Sequence, residues 1–238
     1  MKGKFLKSIG IDKSGGNIRK YMKIVAFIPI KLNSQRLPHK NILPLDGQPL
    51  CWHICNSLKN IKNINEVYVY CSDDKVMEYI PKEVIYKQRD ARLDGDMIKG
   101  FEIYRSFIDE VDADVYVLAH TTSPFIKAET IENALNHVLS GENDSAFSAE
   151  KIQTFAWYQG KPINYDINDV PRTQDMEPIW VETSGFFIFK KEIFTKYNRR
   201  IGFKPYIQEV SGLEAIDIDE QKDYDLAVKL IEVTKNEK

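Results

Sequence analysis

The segment Lys31-Leu32-Asn33-Ser34-Gln35-Arg36-Leu37-Pro38-His39-Lys40-Asn41 places three cations and several amide and hydroxyl groups in one short stretch. Lys31, Arg36 and Lys40 supply the charge that a polyphosphate needs. Asn33, Ser34, Asn41 and the backbone N–H groups of the stretch, Leu32 included, supply hydrogen bonds to its oxygens. During attack at an α-phosphorus, negative charge moves toward the leaving pyrophosphate, and a positioned lysine or arginine stabilises that change. A basic run is more often a solvated surface. Here it directly follows Ile24–Ile30, an apolar run that reads as a central parallel strand. In an open parallel sheet, ligands sit beyond the carboxyl ends of the strands. The stretch lacks the glycine spacing of a Walker loop or a dinucleotide fingerprint, which argues against kinase and dehydrogenase chemistry.

The elements that must position this loop alternate along the chain. Strands are expected at Glu66–Cys71, Val84–Tyr86, Asp114–Ala119, Ser145–Ser148, Ser184–Phe189 and Glu214–Ile218. Helices are expected at Leu50–Leu58, Asp96–Asp109, Ala128–Leu139 and Glu220–Val233. Ile98, Phe101, Ile103 and Phe107 form the apolar stripe of the second helix, and Ser72-Asp73-Asp74 reads as an N-cap cluster. This rhythm predicts an α/β fold with a mainly parallel sheet covered on both faces. Gln153–Trp180, with Pro162, Pro171 and Pro178 and several aromatics, breaks the rhythm and reads as an excursion from the core. Residues 1–21 read as a tail or extended start, and 22–238 as one domain.

The chain has 238 residues, 33 Lys and Arg against 35 Asp and Glu, and a net charge of -2, so a general nucleic-acid binder is disfavoured. No apolar run is long enough to span a membrane. Cys51, Cys55 and Cys71 do not make a disulfide framework, and buried thiols in a reducing cytoplasm are expected.

At AFIPIKLNSQRLPHKN the sequence resembles the opening signature of the acylneuraminate (CMP-sialic acid synthetase-like) cytidylyltransferases. VYVYCSDD, LAHTTSPFIKAETIENAL and EAIDIDEQKDYDLA resemble further family segments, in the family's order. The resemblance implies a three-layer, Rossmann-like nucleotidyltransferase fold. It also implies transfer of CMP from CTP to an acidic sugar with Mg²⁺, and a homodimer in which the 153–180 excursion reaches the partner. It implies that Lys31, Lys40 and Asn41 hold the triphosphate and nucleotide, and that Arg89 and Asp96 lie near the base. Asp217 and Asp219 match the metal-binding pair. Residues i and i+2 on a strand point the same way, so at a strand's carboxyl end two carboxylates can share one Mg²⁺. The alternative for Asp219 is an N-cap of the closing helix.

Several positions depart from the family pattern. Lys31 stands where Arg is common, which keeps the charge and loses the planar fork. His120 and Thr121 replace Gln-Pro before Thr122. Met97-Ile98-Lys99-Gly100 replaces small hydroxyl residues after Asp96. On the acceptor side, Arg172 is the one clear cation near the excursion, and Glu182 stands where sialate enzymes carry arginine. Unless turned away or paired, Glu182 would repel a sugar carboxylate. His120, Thr121, Thr122, Arg172 and Glu182 are thus the candidate acceptor residues. Asp217 and, after it, His120 are candidate bases. A phosphonate or sugar-phosphate acceptor, or a non-catalytic nucleotide-binding module, stand as the alternatives.

Overall fold

The computed structural model describes residues 22–236; the expected tail at 1–21 lies outside them. The chain opens with β1 (Ile24–Pro29), the short hairpin β2 (Pro44–Leu45) and β3 (Gln48–Pro49), α1 (Leu50–Lys59), β4 (Glu66–Cys71) and β5 (Ile85–Gln88). Then come α2 (Gly100–Glu110), β6 (Val115–Ala119), α3 (Ala128–Leu139) and β7 (Ser145–Ile152). A second short hairpin, β8 (Trp157–Tyr158) and β9 (Lys161–Pro162), precedes β10 (Ile179–Lys190). The chain closes with α4 (Lys191–Tyr197), β11 (Pro205–Val210) and α5 (Gln221–Asn236).

Seven strands form one sheet in the order β11-β7-β10-β6-β1-β4-β5. All neighbours are parallel except β10, which runs antiparallel to both β6 and β7. β1 is central and fully covered, because Val25, Ala26, Phe27 and Ile28 are shielded on both faces. One face packs Ile54, Leu58, Ile131 and Leu135 from α1 and α3. The other packs Phe107 from α2 and Phe194 from α4, with Phe27 stacked on Phe107 at 4.4 Å between ring centroids. The expected three-layer architecture is therefore present.

Four points of the sequence reading need correction. Glu214–Ile218 is not a strand: Gly212, at φ 57°, turns the chain into a single helical turn at Gly212–Ala215, and an extended segment follows. The edge strand β11 was not anticipated, because its Gln208 and Glu209 hide the apolar pattern. The second helix begins at Gly100 rather than Asp96, since Glu102 accepts a hydrogen bond from the Lys99 N–H at 3.0 Å and closes the helix start there. Ile98 thus lies before the helix, and Trp180 belongs to β10 rather than to the excursion.

Candidate functional site

β1 ends at Pro29, and the cationic loop turns over the carboxyl edge of the sheet. There it lines a cleft of about 460 Å³ with Lys31, Asn33, Ser34, Arg36 and Lys40. The facing wall is the Arg89–Asp96 segment that follows β5, and Asp219 closes the far side. The loop is tied down from below. The buried Asn41 amide donates to the Lys31 carbonyl at 2.7 Å and accepts from the Thr121 hydroxyl at 2.5 Å. Asn41 thereby joins the loop to the end of β6. His39 takes a left-handed φ of 56° at the turn that delivers Lys40.

Charge on the two walls is paired across the cleft. Lys31 donates to the Asp94 carbonyl and lies 3.2 Å from the Asp96 carboxylate. Arg89 is almost wholly buried; it donates to Asp94 at 2.5 Å and to the Tyr70 carbonyl at 3.2 Å. Asp94 also accepts from the Ser72 hydroxyl, so one carboxylate organises the whole facing wall. Sequence reading missed Asp94; its signal was spacing, five residues beyond the singled-out arginine.

Asp217 and Asp219 project from the extended segment before α5. Its register is fixed by the Ile218 N–H bonding the Thr122 carbonyl at 2.8 Å, while Ile218 is buried among Leu37, Leu45 and Leu50. Asp219 receives Lys40 at 2.9 Å and Arg36 at 2.8 Å. Burial would raise its pKa, but these two cations hold it below the usual carboxylate value. Asp217 is shifted the opposite way: burial raises it, the Thr122 hydroxyl opposes the rise, and the Asp219 charge adds to it. The N-cap alternative for Asp219 does not hold. Glu220 is the cap position, its carbonyl accepting from the Asp223 and Tyr224 N–H groups, and Asp223 of the first turn reaches back to accept from the Glu220 and Asp219 N–H groups at 2.8 and 3.1 Å.

Among the residues expected on the acceptor side, His120 is held at both ring nitrogens. Its Nδ1 lies 2.6 Å from the Ser184 carbonyl, which requires a proton on that nitrogen. Its Nε2 lies 3.2 Å from the Tyr104 hydroxyl and in the neutral ring accepts from it. Burial lowers the His120 pKa; the Ser184 carbonyl opposes this, and the Arg200 and Lys40 charges reinforce it. A neutral ring with both nitrogens occupied is a poor general base. Ser184 takes a left-handed φ of 57° in a bulge of β10, where pairing jumps from Glu182–Ala149 to Phe187–Phe147. The bulge wraps the buried Ser148 hydroxyl, which bonds Thr183 at 2.9 Å and the Phe186 N–H at 3.2 Å.

Glu182 is paired: Arg200 lies 3.5 Å away. Arg172 lines neither cleft, because Asp175 of its own turn holds it at 2.6 and 3.0 Å. Beside Glu182 stand Arg199 and Arg200, which sequence reading did not single out. Leu32 packs its side chain against the core and leaves only its backbone for a ligand. Cys51, Cys55 and Cys71 are buried free thiols, and burial pushes Cys51 up to about 12.

Among the described residues no helix is long and apolar enough to cross a membrane. The family profile described as Cytidylyltransferase matches residues 25–238. The N-acylneuraminate cytidylyltransferase of Streptococcus agalactiae serotype III is 22% identical over 214 residues, covering 85% of this chain and 52% of the relative. The chain thus spans about half the length of the first curated relatives it matches. The CMP-N,N'-diacetyllegionaminic acid synthase of Legionella pneumophila is 27% identical over 235 residues, covering 90% of this chain and 98% of the relative. A solved CMP:2-keto-3-deoxy-manno-octonic acid synthetase complexed with CTP superposes with a TM-score of 0.68 at 18% identity, covering 89% and 99% of the two chains.

Proposed function

The chain belongs to the cytidylyltransferase family, and from that premise we propose that it transfers CMP from CTP to an acidic sugar of the sialic acid or related nonulosonate type, releasing pyrophosphate. The observation that carries this reading is the union of the cationic loop with the acidic pair: Lys40 and Arg36 both reach Asp219 on one wall of a polar cleft. A triphosphate entering the cleft competes with Asp219 for these cations. Lys31, Arg36 and Lys40 then take up the charge that develops on the leaving pyrophosphate. The buried Arg89–Asp94 pair fixes the wall that faces the nucleoside.

The acceptor hydroxyl oxygen forms a bond to the α-phosphorus, and the bond from that phosphorus to the β-bridging oxygen breaks with its electron pair leaving on pyrophosphate. Asp217, whose carboxyl is shifted upward, takes the hydroxyl proton. Asp217 and Asp219 also suit Mg²⁺: both are hard oxygen donors, and Asp217 is raised first by burial and further by its anionic neighbour, a repulsion that a cation relieves. Among the described residues no cluster of three or more acidic, His or Cys ligands exists. Two carboxylates, leaving other positions to water and phosphate, match the preference of this ion. Bound there, Mg²⁺ would polarise the α-phosphate.

The 153–180 excursion exposes Trp157, Tyr158, Ile163 and Ile167. Its role in this reading is to pack against a second copy of the chain, so Trp157→Asp with Ile163→Asp should convert a sedimenting dimer to monomer. A cytoplasmic setting suits a CTP-consuming enzyme with free thiols. The defining assay incubates the protein with Mg²⁺, each nucleoside triphosphate and a panel of acidic sugars, phosphonates and sugar phosphates. Pyrophosphate release with CTP and an acidic sugar is expected. Consumption of another nucleotide, with no CMP-sugar formed, rejects the cytidine assignment.

A further inference from the structure

Resting on the acidic-acceptor reading above, we infer that Arg200 binds the acceptor's carboxylate, with Glu182 holding the guanidinium in place until the acceptor displaces it. The position of Arg200 is the first argument. Its guanidinium carbon lies 3.7 Å over the Phe187 ring, so one face is fixed by an aromatic plane, while its N–H edge turns toward Glu182 at 3.5 Å. Phe187 pairs with Leu118 near the carboxyl end of β6, two residues before His120.

His120 links this point to the nucleotide cleft. Its ring lies 6.2 Å from the Phe187 ring on which Arg200 is stacked, and its neighbour Thr121 bonds Asn41, the residue after Lys40, at 2.5 Å. Tyr104, which bonds His120, also feels the Arg200 charge. The groove beside Arg200 is about 210 Å³, lined also by Phe101, Glu182 and Asn198, which suits one substituent of a sugar rather than a nucleotide.

The hold on Arg200 is weak enough to exchange. Glu182 is 45% exposed at the side chain and sits 3.5 Å away, longer than a charge-assisted hydrogen bond. A ligand carboxylate that accepts two N–H bonds from the planar fork is the better partner. The backbone that carries Arg200, by contrast, is fixed. Asp144 accepts from the Phe203 N–H at 2.7 Å and the Lys204 N–H at 3.1 Å, and the Ser145 hydroxyl accepts from the Gly202 N–H at 2.8 Å. The neighbouring cation is otherwise engaged: Arg199 donates to the Gly202 carbonyl and stacks on Phe203. Glu182 therefore occupies the cation loosely until an acidic acceptor displaces it, and removing its charge frees the fork.

The test uses the full chain, CTP, Mg²⁺ and an acidic sugar that the wild type accepts, together with the same sugar bearing an amide in place of its carboxylate. Arg200→Gln should raise the acceptor KM about 30-fold or more, and the CTP KM should stay within about threefold. The preference for carboxylate over amide should vanish. Arg200→Lys should fall between, because charge survives without the fork. Glu182→Gln should lower the acceptor KM by a few-fold. An Arg200→Gln enzyme with wild-type acceptor KM and wild-type carboxylate preference overturns the inference and leaves the reaction intact. A wild type that forms no CMP-sugar with any acidic acceptor overturns the reaction reading, and the inference with it. If Arg200→Gln does not fold, unchanged acceptor KM in both Arg200→Lys and Glu182→Gln overturns the inference instead.

Discussion

The proposed nucleotide site comes from one contiguous loop whose Arg36 and Lys40 are already held at 2.8 and 2.9 Å by Asp219, whereas the proposed acceptor site takes Tyr104, His120, Glu182 and Arg200 from four separate segments and leaves its key ion pair at 3.5 Å. The difference follows from what each end must bind. A triphosphate presents the same charge to every enzyme that uses it, so a short loop after a buried strand suffices. An acceptor differs from enzyme to enzyme, and its contacts sit where sequence can change without disturbing the sheet. Loose pairing there leaves the guanidinium exchangeable, while tight pairing at the phosphate end keeps Lys40 aimed before substrate arrives.

The comparison is broken most directly at Lys40. Lys40→Met removes a nearly buried cation that contacts Asp219, and kcat/KM in a pyrophosphate-release assay should fall about 10³-fold. A loss under tenfold would mean that the phosphate end is not where transition-state charge is met. Asn41→Leu comes next. It cuts the two hydrogen bonds that tie the loop to Thr121 and to the Lys31 carbonyl. We expect stability to fall by about 2–3 kcal/mol in urea unfolding, with CTP KM rising more than acceptor KM. Equal rises in both would show that the two ends are not separately built.

Legibility in the sequence divides along the same line. The loop, Arg89, Asp96 and Asp219 are local motifs on or beside predicted strands, and the structure brings them to one cleft. α1, α3, β4 and β6 were readable because their apolar residues are buried at helical or strand spacing. β11 was not, since a half-covered edge strand with Gln208 and Glu209 has no such period. Arg200 was invisible for a different reason. It lies 18 residues after Glu182 in sequence, and the two meet only because β10 runs antiparallel and α4 folds back beside it. Arg172 misled because proximity in sequence to the excursion says nothing of its partner, Asp175.

A smaller effect is expected at Gly202. A methyl group there would come 2.3 Å from the Asp144 carboxylate, forcing it off the Phe203 and Lys204 amides. Gly202→Ala should therefore lower stability by about 2 kcal/mol and raise the acceptor KM several-fold, with the CTP KM little changed. The pH dependence carries a sign. Burial would raise the Asp144 pKa, but the two backbone amides hold it below the ordinary value. The stability it contributes is present above the unfolded value of about 3.9 and is lost as pH falls through the lower folded value. Asp144→Asn should flatten that part of the acid-unfolding curve. An unchanged curve would remove Asp144 as the anchor of the Arg200 loop.

The smallest effect should come from His120→Gln. Neutral His120 makes one donated bond, to Ser184, and accepts one, from Tyr104. Glutamine also offers one donor group and one acceptor atom, so kcat/KM should stay within about threefold of wild type. Because burial lowers the His120 pKa and the Arg200 and Lys40 charges favour the neutral ring, outweighing the Ser184 carbonyl, wild-type activity should show no His120 titration between about pH 7 and pH 8. His120→Leu separates the two roles: it keeps the bulk and cuts both bonds, and should raise acceptor KM well beyond the glutamine variant. If glutamine and leucine cost the same, His120 is filling space and does not transmit the position of Tyr104. If glutamine alone abolishes turnover while the protein stays folded, the imidazole is moving a proton after all, and Asp217 loses its place as the base.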